Sequence, residues 1–263
     1  MLGHPGMASR LLLVTLWLLV AGCCKQPQPG TVVDEARRAG RTAASFPHAS
    51  ENYFHDCADQ PLYTSAEGGG VSNIYFYNNV ASNMNIMPAA ADPANGEYCL
   101  HLNDLDSASR VYNNTFYNCP INPVEAVIGV YSAYTSQSTA ASANNIIYGS
   151  SPSQPALYIE SSGKFNSTND LYYNVTAPSG SGVTITGSKT ANPLFVTNGS
   201  DFHLQSSSPA INAGTSAVSS MVTTDYDFIS RPQGSAYDIG AYEYVSSGGA
   251  TTPPAPPTGL RAQ

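Results

Sequence analysis

A seven-residue phrase recurs five times in this chain, and repetition at its spacing constrains the fold more than any single residue does. It reads E-N-Y-F-H-D-C at 51–57, N-I-Y-F-Y-N-N at 73–79, N-N-T-F-Y-N-C at 113–119, N-N-I-I-Y-G-S at 144–150 and N-D-L-Y-Y-N-V at 169–175. The starts lie 22, 40, 31 and 25 residues apart, within the ~20–50-residue range of stacked repeat units. Read by columns, the fourth place holds Phe54, Phe76, Phe116, Ile147 and Tyr172. The fifth holds His55, Tyr77, Tyr117, Tyr148 and Tyr173, and the sixth Asp56, Asn78, Asn118, Gly149 and Asn174. Like residues above like residues are what a solenoid requires.

Between the copies lie further β-rich runs at 60–65, 97–103, 124–132, 156–161 and 182–187, separated by Gly, Asn, Pro and Ser. Runs of ~4–8 residues with such punctuation read as short strands. The fold class is therefore all-β: a short right-handed parallel β-helix solenoid with a C-terminal capping segment, each rung holding about three strands in ~22 residues. Alternation along a strand sends the fourth column inward and the fifth outward. The Asn column marks turns, because Asn tolerates left-handed backbone. The 40-residue step reads as a second rung or an insertion, with P-A-A-A-D-P-A-N-G at 88–96 as the insertion.

The two ends read differently. Arg10, an apolar run at 11–21 and V-A-G-C at 20–23 form a secretory signal; the run is too short to span a bilayer. The box resembles a bacterial lipoprotein cleavage site, which implies a signal peptide over 1–22, a lipid on the Cys23 thiol, and attachment to the membrane through that anchor only. Lys25, with no Asp after the lipid cysteine, fits sorting to the outer membrane or cell surface. Residues 23–50 form a tether and N-terminal cap, 51–245 the β-helix domain and 246–263 a Pro/Thr/Gly-rich linker.

Charged residues make up 11% of the chain, against ~25% in a typical domain. The net charge is -8 with three lysines, so the clustered cations that nucleic acid binding needs are missing. Seventeen tyrosines and abundant Asn, Ser, Thr and Gly give a neutral polar surface that suits sugars, and a monomer is expected. Cys57 and Cys119 fall in one column with Asn79 between them. Two steps of ~4.8 Å put them ~9.6 Å apart, beyond the ~7 Å limit for a disulfide, and small buried thiols are expected. No cysteine or histidine spacing points to zinc.

N-P-L-F at 192–195, D-F-H-L-Q-S-S-S-P-A-I-N-A-G at 201–214, T-D-Y-D-F-I-S-R-P-Q-G at 224–234 and Y-D-I-G-A-Y-E-Y at 237–244 together resemble the C-terminal end of the pectin-lyase-like right-handed β-helix proteins. The likeness is strongest to bacterial surface proteins of the choice-of-anchor type. One departure is Phe228, where that family has Gly; a bulky residue avoids the positive φ of such a turn. P-P-A-P-P-T-G-L-R-A at 253–262 resembles the entry to a fibronectin type III domain. The resemblance implies more rungs before the first phrase, so the chain reads either as a partial copy of a longer protein or as a short member with few rungs. At this end Pro209, Ala210 and Ile211 are expected to plug the core, and Asp225, Asp227 or Glu243 to pair with Arg231. A calcium site on these carboxylates is the alternative.

The resemblance implies polysaccharide as the partner, while fold alone does not choose between lyase, hydrolase and binder. A lyase needs a base and a cation beside a uronate carboxylate. The ionisable cluster His101, Asp104, Asp106 and Arg110 is the candidate, against the plainer reading of an exposed turn with solvated charges, and Asp104, Asp106, Asp225 and Asp227 are candidate calcium ligands. Hydrolase segments of the polygalacturonase type, and a Gly-x-Ser-x-Gly elbow, are not present in the sequence. The outward ladder of Tyr77, Tyr117, Tyr148 and Tyr173, continued by His55, is the candidate sugar-stacking surface; a self-stacking ladder packed under a loop is the other reading. The expectation is a surface-anchored, carbohydrate-binding protein. The alternatives are a calcium-assisted polysaccharide lyase on an acidic glycan and a structural or adhesive module.

Overall fold

The computed structural model describes residues 48–56, 61–64, 73–84, 98–103, 108–131, 138–160 and 162–246. Cys23, Cys57, Asp104 and Asp106 lie outside them. The described chain is a parallel β-helix with three sheets. Sheet A stacks β1 (His48–Ser50), β4 (Tyr75–Tyr77), β7 (Arg110–Tyr112), β10 (Ser138–Ala143), β13 (Gly163–Thr168) and β15 (Val183–Thr186). Sheet B stacks β2 (Tyr53–His55), β5 (Val80–Ser82), β8 (Thr115–Tyr117), β11 (Ile146–Tyr148), β14 (Leu171–Tyr173) and β16 (Lys189–Thr190). Sheet C stacks β3 (Leu62–Thr64), β6 (Leu100–Asn103), β9 (Ile128–Tyr131) and β12 (Leu157–Ile159). A hairpin of β17 (Phe195–Thr197) and β18 (Asp201–Leu204) is antiparallel. The coil begins before Glu51, since β1 already pairs with β4.

The repeated phrase is a turn–strand–turn unit. In sheet B, left-handed residues bracket three-residue strands: Glu51 and Asp56 around β2, Asn113 and Asn118 around β8, Asn169 and Asn174 around β14. Asn and Asp reach this region at the least cost among residues with a Cβ.

The second copy is in a different register from the one its aromatics indicate. Phe76 and Tyr77 belong to β4 in sheet A, where their partners are Val111 and Tyr112. The sheet B strand of that rung is β5, and Ala81 and Ser82 stand between Phe54 and His55 on one side and Phe116 and Tyr117 on the other. The true unit is N-N-V-A-S-N-M at 78–84, and its marker is the paired Asn rather than the aromatic triplet. Tyr-Phe-Tyr is simply what an outward–inward–outward strand of either sheet prefers. Phe76 still stacks on Phe116, 6.4 Å away with planes 8° apart, but from the neighbouring sheet.

The second residue of each pair builds a buried ladder. The backbone N–H and the side-chain amide of Asn52 both donate to Asn79 Oδ1, at 3.1 and 2.9 Å. Asn79 does the same to Asn114, Asn114 to Asn145, and Asn145 to Asp170. Asp170 ends the series with a carboxylate that also accepts from the Ser142 and Ser167 hydroxyls, at 2.6 and 2.7 Å. Each such bond contributes about 1 kcal/mol net, and an orphaned buried partner costs about 1–3 kcal/mol.

The first residue of each pair points the other way and fastens the C-terminal segment. Asn78 donates to Thr224 O, Asn113 to Asp238 O, Asn144 to Thr215 O and Asn169 to Ala213 O. That segment does not plug the end of the coil, as Pro209–Ile211 were expected to do. It lies back across the outside of sheet B, where Phe195, Phe202, Leu204, Ala210, Ile239 and Ala241 bury Val80, Ile146 and Leu171. It is closed by a buried ion pair of the expected kind: Arg231 Nη1 lies 2.7 Å from Glu243 Oε1, both side chains fully buried. Arg231 also donates to the carbonyls of Thr224, Asp238 and Gly240. Phe228 adopts the left-handed conformation despite its bulk, at φ 64°, with its ring exposed.

The expectation of reduced cysteines is corrected. Cys99 and Cys119 form a disulfide, with Cα atoms 5.1 Å apart. The column of the phrase aligns Cys119 with Cys57, whereas its partner Cys99 enters sheet C from another rung, a proximity that no column of the phrase displays.

Candidate functional site

The five fifth-column rings do not form an open surface. Tyr117, Tyr148 and Tyr173 are half-buried against the C-terminal segment. The Tyr117 ring lies 5.4 Å from Phe202 and 4.7 Å from Tyr148. Tyr77 is half-buried beneath Val218, Val222 and Tyr237 over sheet A. The expected outward direction is right, but protein occupies the face; the packed ladder is the arrangement found. His55 sits beside Asp56, 3.1 Å away.

The acid–base cluster is divided between faces. His101 is in β6 of sheet C and Arg110 in β7 of sheet A, where Arg110 donates to Ser109 O. Burial lowers the His101 pKa to about 4, so at neutral pH the ring carries no charge to offset a uronate.

Asp225 does not fit a calcium ligand set. Its Oδ1 accepts the N–H groups of Asp227 and Ile229, and its Oδ2 that of Glu243. Asp227 Oδ2 lies 2.8 Å from His203 Nε2. No group of three or more His, Cys, Asp or Glu side chains able to hold a metal occurs among the described residues.

On the outer face of sheet C two tyrosine side chains remain accessible side by side. In β6, β9 and β12 the inward columns are Leu100–Ile128–Leu157 and Leu102–Val130–Ile159. The outward column between them is His101–Gly129–Tyr158, and Tyr131 stands on the same face two residues beyond Gly129. Gly129 makes room: a Cβ there would meet the Tyr98 ring at 2.8 Å. Tyr98 therefore lies over the backbone of β9, 5% exposed. It meets His101 edge-on at 5.4 Å and Tyr158 nearly parallel at 6.0 Å. The Tyr98 and Tyr131 hydroxyls are 2.5 Å apart. Above this layer Tyr131 and Tyr158 lie side by side at 5.2 Å, Tyr131 partly exposed and Tyr158 46% exposed. Burial pushes the Tyr98 and Tyr131 phenols up, so both stay protonated.

One rim of the face is rigid. Cys119 tethers the 120–126 loop to Cys99, the neighbour of Tyr98. The fully buried Gln154 amide donates to the carbonyls of Pro120, Asn122 and Glu125, and its oxygen accepts from Ser150. The loop is thereby held with Val124 74% exposed. On the other flank the Glu160 N–H bonds to Val130 O at 3.0 Å, which seats Glu160 beside Tyr131.

Sequence reading named the three strands but not this face, because its tyrosines come from segments with no shared phrase. Superposing L-H-L-N, I-G-V-Y and L-Y-I at 100–103, 128–131 and 157–159 would have found it. A depression elsewhere, lined by Thr215, Ser216, Ser219, Thr223, Ser235 and Tyr237, offers hydroxyls, but the Arg231 that also lines it is committed to Glu243. No family model matches the chain, and no curated protein is significantly similar to it.

Proposed function

We propose that the protein binds polysaccharide through the outer face of sheet C, as a lipid-anchored, exported surface protein of pectin-lyase-like, choice-of-anchor character. The observation that carries this reading is the pre-formed pair of accessible rings, Tyr131 and Tyr158, laid on Tyr98 and flanked by a loop pinned through Gln154 and a disulfide. Sugar rings present C–H faces that stack on aromatic side chains, and rigid aromatics bind at low entropic cost. Support for export comes from the V-A-G-C box at 20–23 and from the Cys99–Cys119 disulfide, since disulfides persist in oxidising compartments. Among the described residues the strands of this face carry no Lys or Arg, and binding rather than bond cleavage is the reading we propose.

The test is affinity electrophoresis or calorimetry of the mature protein against a panel of soluble polysaccharides. Binding to at least one member is expected, with a loss of about tenfold or more in Tyr158→Ala, equivalent to about 1.4 kcal/mol, at an unchanged melting temperature. Failure to bind any member, or binding unaffected by Tyr158→Ala, defeats the proposal and leaves a structural module.

A further inference from the structure

We infer that the glycan taken by sheet C is uncharged, and that Glu125 and Glu160 receive its hydroxyls from opposite sides of the aromatic pair; this rests on the binding reading above. The first support is register. Ile159 pairs with Val130 and Asn103 with Tyr131, so the residues that follow place Asn103, Tyr131 and Glu160 in one outward row. Glu160 is locked there by its own backbone hydrogen bond to Val130, and it is partly exposed. The second support is the opposite rim. Glu125 is held at both backbone ends, its N–H on Asn122 O at 3.3 Å and its C=O on Gln154 Nε2 at 3.1 Å. It too is partly exposed. Two acidic residues with fixed backbones, one at each edge of the two rings, match the pattern of a neutral sugar, whose hydroxyls donate to charged acceptors while its C–H face stacks.

The third support is the placement of positive charge. Among the described residues, Arg110 and Lys164 are in strands of sheet A, Lys189 is in the last strand of sheet B, and Arg231 is buried on Glu243. No described strand of sheet C carries a Lys or Arg. A uronate chain would bring one negative charge per sugar against Glu125 and Glu160, on a chain of net charge -8. Like charges so placed repel and suppress the wrong partner.

The experiment compares neutral glucans, xylans and mannans with polygalacturonate and alginate, at low and physiological salt, with and without added calcium, and with chitosan as a cationic arm. The mature full-length chain is used. The expected result is binding to a neutral member at least about tenfold tighter than to either acidic polymer. Glu160→Gln keeps an acceptor but removes the charge. It is expected to weaken the neutral glycan by about three- to tenfold and to raise the acidic-to-neutral affinity ratio. Preference for polygalacturonate or alginate in any condition, or for chitosan, overturns the inference while leaving carbohydrate binding intact. A Glu160→Gln protein with an unchanged ratio overturns it as well. Absence of binding to every polymer defeats the parent reading instead.

Discussion

Sheets B and C carry the same kind of decoration, tyrosines on the outward places of three- and four-residue strands, and the molecule treats them oppositely. On sheet B, Tyr117, Tyr148 and Tyr173 are roofed by Phe195, Phe202 and their neighbours. On sheet C, Tyr131 and Tyr158 stay open over a bed made by Tyr98. The difference originates at the corners. The corner entering sheet B presents Asn78, Asn113, Asn144 and Asn169, whose amides bond to the C-terminal segment. The corner leaving sheet B turns its amides on the coil itself, as in Asn174 to Gly149 O at 2.8 Å. An outward aromatic column is therefore no guide to a binding face until the chain's own segments have been placed.

The comparison is broken most forcefully at Arg231. Its guanidinium is buried with Glu243 and three carbonyls, and removing one partner of a buried pair costs roughly 3–5 kcal/mol. Arg231→Ala should release the C-terminal segment, and amides of β8 and β11 should lose hydrogen-exchange protection while those of β6 and β9 keep theirs. Equal loss on both faces would mean the segment is integral to the coil rather than a cover on one side of it.

Gly129→Ala acts on the other face. The new Cβ would stand 2.8 Å from the Tyr98 ring, and overpacking of this kind costs about 1–3 kcal/mol. Tyr98 should be lifted and the Tyr131–Tyr158 pair tilted, which near-ultraviolet circular dichroism would register together with a loss of glycan affinity. Unchanged dichroism and affinity would show that the bed does not set the platform.

How much of this was legible in the sequence follows from what each feature depends on. The three-strand rung, inward Phe116 and Ile147, and left-handed Asn118 and Asn174 are local consequences of alternation and turn chemistry, and they are found as read. The Arg231–Glu243 pair was within reach because both residues lie in one short segment. Tyr77 was misplaced because rung lengths vary: successive ladder residues are 27, 35, 31 and 25 positions apart, so matching on aromatics slips where matching on Asn-Asn does not. The disulfide, the covered ladder and the sheet C face all depend on which rung lies over which, and no single column of the phrase carries that. Phe228 shows the reverse case, a local rule overridden by the surrounding hydrogen bonds: the Asp225 carboxylate holds the N–H groups on either side, of Asp227 and Ile229, and the turn forms without glycine.

The smallest expected effect concerns how the cover on sheet B responds to pH. His203 bridges the hairpin to the 224–230 turn, with Nδ1 2.7 Å from Asp201 and Nε2 2.8 Å from Asp227, and its ring lies 4.2 Å from Tyr242. The hydrogen bond to Asp227 leads in holding its pKa up, at about 9, against 6.5 for an unperturbed ring. Its contribution is therefore complete below pH 6.5 and is lost as pH rises through about 9. Asp238 is raised to about 6, first by burial and then by Glu243. Its protonated form is the one favoured by folding, so its contribution is present below pH 3.8 and is lost as pH rises through about 6. Both changes loosen the same segment in the same direction. Because the His203 pair is nearly half exposed, its share should be at most about 1 kcal/mol. Thermal unfolding followed from about pH 3 to about pH 10 should show a falling midpoint in the wild type and a shallower alkaline fall in His203→Gln, with the acid-side fall up to about pH 6 kept in both. A His203→Gln profile parallel to the wild type across the alkaline range would remove the imidazole from any role in holding the cover, leaving Arg231 and the Asn corner to hold it.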